Sequence, residues 1–158
     1  MTVYVGDATD VIKRIRTNHC SGNVEASALR RSIAKVRNYR LQSVPRQSGS
    51  LRIRIDAKDF PKGEADLSSY VRSGIWKYVI CDSYDEAHDF QWYLIEMLQP
   101  LLNSRRDTWN AAADGRYREL LRRLEQCAPL HCTELKKRTS GPGVYVFCHD
   151  LHPSASVA

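Results

Sequence analysis

Long apolar runs are missing from these 158 residues. No stretch of 18 or more consecutive apolar side chains occurs, which excludes a helix long enough to span a membrane. The N-terminus also lacks the basic, apolar, small-residue order of a secretory signal, so the expectation is a soluble protein of the cell interior, cytoplasmic or nucleoid-associated. There is no Gly-rich phosphate-cradling loop and no Gly-x-Ser-x-Gly nucleophile elbow, and their absence removes the P-loop and α/β-hydrolase readings. Cysteines are present but form no framework. Cys20, Cys81, Cys127, Cys132 and Cys148 are odd in number and irregular in spacing, and a chain of this size needs no disulfides, so all five read as free thiols. The run CAPLHC would need a fourth ligand, from His149 or His152, to hold zinc.

The chain has the length for one core and not for two, so a single domain over 1–158 is expected. Acid is scarce in its first third. Residues 1–54 hold eleven Lys/Arg against Asp7, Asp10 and Glu25, an excess of eight. With a net charge of +6, the other 104 residues carry about −2. A one-sided excess suits phosphate contact through counterion release; the plain alternative is a solvated basic surface.

Alternation and β-branching predict strands at 2–5, 51–55, 76–82 and 143–147. Helical spacing predicts helices from Thr9 to the HCSGN loop, at 26–37, at 64–74 after a break at PKG, at 84–99 up to Pro100, and at 115–126, with a short one at 132–138. On the helix before Pro100, Ala87, Phe90, Gln91, Leu94 and Leu98 share the inward stripe. The class is mixed α/β: a small antiparallel sheet flanked by helices.

The first and last strands, TVYVG and GVYVF, share a pattern, and pairing them would bring Tyr4 and Tyr145 together. With GVY at 143–145 and YVG at 4–6, the sequence resembles the GIY-YIG nucleases, named for two strand motifs joined in a hairpin. The resemblance extends to Arg14 on the helix after YVG, to GNVEASALRRSIAK at 22–35, which looks like the Gly-Asn loop and Ser-x-Leu-Arg helix of some members, and to FQWYLIEMLQPLLN, which supplies Pro100 and Asn103. The order differs, because GVY closes the chain and YVG opens it. The sequence reads as a circular permutant opened within the first hairpin loop, with 104–115 as the new connection. Either the last strand closes the sheet within one monomer or it pairs across a strand-swapped homodimer.

The resemblance implies DNA as substrate and phosphodiester hydrolysis with a divalent cation, Mg2+ or Mn2+. It implies Tyr145 as general base, Tyr4 as the second-motif tyrosine, Arg14 on the phosphate, and Asn103 in the site. Lys13, Arg16, Ser27, Arg30, Arg31 and Lys35 become the nucleic-acid-binding set. Two positions depart from the pattern. Many members place a histidine or tyrosine four residues after the arginine, but Asn18 stands there and His19 follows, a turn of about 100 degrees on an α-helix; His19 is kept as a catalytic candidate that reaches the site if the helix ends there. The metal-binding glutamate, nine residues before the proline, is Gln91, a far poorer ligand for a hard cation. Glu96, five residues on, lies well round the helix. Two readings stay open: a GIY-YIG endonuclease, active or inactivated at Gln91, and a non-catalytic nucleic-acid-binding module that keeps the fold.

Overall fold

The computed structural model describes residues 1–157. Along the chain run β1 (Thr2–Ala8), α1 (Val11–Lys13), a π-helical segment (Arg14–Cys20), α2 (Ala28–Val36), β2 (Leu41–Pro45), β3 (Leu51–Ile55), α3 (Phe60–Ser73), β4 (Ile75–Ile80), α4 (Tyr84–Leu98), α5 (Asp114–Gln126) and β5 (Gly143–Cys148), with short 3-10 turns at Ala111–Ala113 and Cys132–Glu134. This is the mixed α/β class the sequence implies. No helix among the described residues is long and apolar enough to cross a membrane.

The central sheet has the order β1-β5-β4, and both pairings are antiparallel. The last strand therefore lies in the middle, paired with β1 of its own chain, Gly6 opposite Tyr145. Because successive side chains point to opposite faces, a strand covered on both sides must be apolar throughout. GVYVF meets that demand and is buried over Gly143–Phe147. Tyr145 and Phe147 join Val3, Trp76, Ile12, Ile15, Leu29, Ile33 and Leu67 in a core under α1–α3. Val144 and Val146 join Val5, Val79, Phe90, Leu94, Leu120 and Leu124 in a second core under α4 and α5. The exposed edge of β1 is covered by the chain leaving α4: Leu101 and Leu102 donate to the carbonyls of Thr2 and Val3, and the Asn103 amide bonds both Val5 N and Val5 O, at 2.8 and 2.9 Å. An edge strand blunted in this way offers no free ladder to another chain.

Several expectations are corrected. Cys20 and Cys132 form a disulfide across a separation of 112 residues, leaving Cys81, Cys127 and Cys148 free. The spacing gave no hint of it because the two meet only once α3 and β4 have folded between them. Pro61 does not break the chain before α3 but sits in its first turn, where a missing N–H costs nothing. A strand at 41–45, unseen in the sequence because LQSVP lacks strict alternation, pairs with β3 as a separate two-stranded sheet. The segment 132–138 holds one 3-10 turn, not a helix.

Candidate active site

Three side chains, two from the first thirty residues and one from the last strand, form a bonded row beneath β1. The Tyr145 hydroxyl lies 2.7 Å from His19 Nε2, and His19 Nδ1 lies 2.6 Å from Ser27 Oγ. Tyr145, His19 and Ser27 are at most 1% exposed. Gly6 makes this possible, since a Cβ there would collide with the Tyr145 hydroxyl. The Tyr4 ring stands 6.4 Å from that of Tyr145 and 6.2 Å from the imidazole. Trp76 stacks on His19 at 5.5 Å.

The π-helical segment explains how His19 gets there. In an α-helix, i→i+4 bonding stacks residues four apart; in a π-helix, i→i+5 bonding stacks residues five apart. Ser21 N donates to Arg16 O in this pattern, at 3.2 Å. The one-residue offset that separates His19 from Arg14 on an α-helix is thus absorbed by the extra residue in the turn. Asn18 points elsewhere, donating to Ala26 O at 3.2 Å.

Electrostatics holds the row neutral. Burial, reinforced by Arg14 and Arg30, pushes the His19 imidazole down to about 3. Burial pushes the Tyr145 phenol well above its ordinary value, against the pull of Arg14, and raises Tyr4 similarly. Arg14 itself has no ion partner among the described residues, and its Nε is buried without a hydrogen-bond partner. It lines an open groove with Asp7, Asp10, Lys13, Asn18 and Tyr84. A fixed, always-charged planar donor opening onto solvent suits a phosphate oxygen.

A second group sits on the other side of β1, where α4 packs. Gln91 Nε2 donates to Asp7 Oδ2 at 3.0 Å, and His88 Nδ1 lies 2.8 Å from the same oxygen. Gln91 lines a groove with Tyr4, Trp92 and Asn103. Glu96 faces away, its Oε2 taking the Trp109 indole N–H at 2.5 Å.

The basic residues divide. Lys13 and Lys35 are exposed, and Arg16 and Arg31 half-buried. Arg31 spends its Nη1 on the carbonyls of Val24 and Glu25. Arg30 does not fit a surface role: it is 1% exposed, paired with Glu64 at 2.8 Å and bonded to His19 O at 3.1 Å. Ser27 is likewise enclosed, capping α2 through Arg30 N. Asn103 is committed to the backbone of β1. Sequence reasoning missed four residues: Asp7 and His88, which meet only through packing, and Lys137 and Arg138, which join Lys13 and Arg16 around one groove. The last two are brought there by Ser140, whose hydroxyl donates to Asp10 Oδ1 at 2.8 Å. Their only sequence signal was a Lys-Lys-Arg run far from the basic third.

A sequence model of the GIY-YIG catalytic domain matches residues 1–126. The chain belongs to the GIY-YIG family. Its GVY strand lies beyond the matched range and enters the sheet between β1 and β4. No curated protein and no solved structure matches the chain. GIY-YIG nucleases use a divalent cation, and the residues around Gln91 do not suit one. The amide turns its N–H toward the one nearby carboxylate, and no group of three His, Cys, Asp or Glu side chains that could hold a metal occurs among the described residues. A hard cation asks for anionic oxygens.

Proposed function

We propose that this GIY-YIG domain is a DNA endonuclease in which the substrate-activating half of the site is built and the cation-binding half is disabled by Gln91. In this reading Tyr145 is the general base for the attacking water, His19 supports it, and Arg14 steadies the phosphate. Lys13, Arg16, Lys137 and Arg138 track the DNA backbone beside it. The observation that carries the proposal is the enclosed Tyr145–His19 contact at 2.7 Å under Gly6, on the face that opens to Arg14. A buried tyrosine hydroxyl needs a hydrogen-bond partner, and here that partner is a titratable ring close to the Arg14 charge. The motif order fits a circular permutation opened in the first hairpin loop: Met1 and His149 exchange backbone hydrogen bonds, each at 3.1 Å, so the two motif strands end side by side.

The test is nicking of supercoiled plasmid in Mg2+ or Mn2+ by the protein and by Gln91→Glu, which would set a second carboxylate beside Asp7. Cleavage by the variant alone is expected. Cleavage by both would overturn the argument from Gln91. Cleavage by neither, with salt-sensitive DNA binding retained, would leave a binding module and overturn the nuclease reading.

A further inference from the structure

The hairpin of β2 and β3 is one that the core hardly uses. Of residues 41–55 only Ile55, at its base, is buried, and every residue from 41 to 54 is half-buried or exposed. Its turn is fixed: Arg46 N donates to Ser50 O at 2.7 Å and Gly49 N to Arg46 O at 2.9 Å, with Gly49 at φ 86°. A two-stranded ribbon gains little from its own pairing, so the fold holds out an arm whose outer end nothing among the described residues covers. What that arm carries is positive charge. Arg40 stands at its entry and Arg46, Arg52 and Arg54 along it, and no Asp or Glu occurs from residue 26 to residue 55. We propose that the β2–β3 hairpin is a DNA-docking arm, a ribbon that enters the major groove of a duplex whose phosphates its arginines hold. That the polyanion is DNA rests on the nuclease reading above; the arm itself is an addition to it.

The arginines of this stretch separate by partner. Arg30 and Arg37 are closed inward on Glu64 and Asp66. Arg52 and Arg54 have no carboxylate partner among the described residues; Arg54 lies over the Phe60 ring at 4.6 Å, and Arg52 Nε has no hydrogen-bond partner. They alternate along β3 and so share one face, two planar, always-charged donors at strand spacing. Leu51 and Ile53 take the other face, 66% and 37% exposed, opposite Pro45 and Ser43. The major groove admits a two-stranded ribbon and offers thymine methyls as well as polar base edges, so both faces find contacts there. Position agrees with this. Arg46 at the turn pairs with Glu25, beside Ala26, whose carbonyl accepts the Asn18 amide hydrogen at 3.2 Å, and Asn18 lines the Arg14 groove. The turn of the arm thus adjoins the groove that suits a phosphate.

Binding is read by fluorescence anisotropy of a labelled duplex in EDTA, where cleavage plays no part, over a series of salt concentrations. For the wild type, log K should fall linearly with log salt, and Arg52→Gln with Arg54→Gln should weaken binding and reduce the slope by about one per arginine removed. Arg52→Lys with Arg54→Lys, which keeps the charge, should restore the slope; a slope still reduced there overturns the phosphate role. Arg118→Gln, on α5 across the sheet with its side chain 74% exposed, should leave binding unchanged, and an equal loss there would show only a whole-molecule charge effect and overturn the arm. Leu51→Ser with Ile53→Thr should weaken binding at an unchanged slope. Wild-type affinity and slope in the paired Gln variant would overturn the arm and leave the nuclease reading standing, whereas a wild type that binds no duplex at any salt overturns both. A wild-type dimer by sedimentation that Leu51→Ser with Ile53→Thr dissolves would make this face an interface between copies and overturn the proposal.

Discussion

Two groups of polar side chains flank β1, and they differ chiefly in what surrounds them. Tyr145, His19 and Ser27 are sealed under the sheet, and each polar side-chain atom has a hydrogen-bond partner within it. Asp7, His88 and Gln91 meet on the α4 side, with the His88 side chain half exposed, Gln91 buried, and two groups converging on one Asp7 carboxylate oxygen. Enclosure makes hydrogen positions and charge states specific, because an unmet partner has no water to fall back on. Partial exposure at His88 makes the second group more tolerant of substitution than the sealed row.

The sharpest way to break this contrast is in the Gln91→Glu background. There, Tyr145→Phe should lower the nicking rate about 10²- to 10⁴-fold, the range for a general base, with the rate of the Gln91→Glu parent still rising as pH approaches the ordinary tyrosine value of 10.0. His88→Ala should lower it less than about tenfold; equal losses would erase the distinction. Next in size is Arg30→Ala, which leaves Glu64 unpaired at a buried contact and should cost about 3–5 kcal/mol by urea unfolding. Lys35→Ala, on the exposed side of the same helix, should stay within about 0.5 kcal/mol. Paired Cys20→Ser and Cys132→Ser exchanges should then cost about 2–4 kcal/mol, since the bridge ties the residue after His19 to a distant turn. Acid unfolding supplies a further measure. The unfolded chain binds a proton at His19 below 6.5, whereas the folded chain refuses it until about 3, so stability present above 6.5 is lost as pH falls through that window. His19→Gln should flatten the slope. Smallest of all, His88→Ala should change stability by under about 1 kcal/mol, as exposed pairs do.

Much of the fold was legible from local pattern. GVYVF announces itself as a buried strand and WKYVI as a strand, of which Trp76 and Val79 are buried, and the stop at Pro100 closes α4. The pairing of TVYVG with GVYVF could be read from shared motifs alone. Legibility failed wherever partners are distant and the local signal is neutral. Arg30 counts as basic surface until Glu64 and Ser68 close over it. Arg37 is turned inward the same way, to Asp66. His19 looked one residue out of place because spacing was judged on an α-helix.

By itself the sequence determined four of the five strands, the helices up to α5, the two tyrosine motifs and the presence of Gln91 nine residues before Pro100, because period and residue identity act over a few neighbours. Only the tertiary structure decided which charges are spent internally, that Cys20 meets Cys132, and that a π-helical turn carries His19 between Ser27 and Tyr145. Those outcomes depend on burial and on contacts between residues far apart in sequence, from about 30 positions for Arg30–Glu64 and Arg37–Asp66 to 112 and 126 for Cys20–Cys132 and His19–Tyr145, which no local pattern encodes.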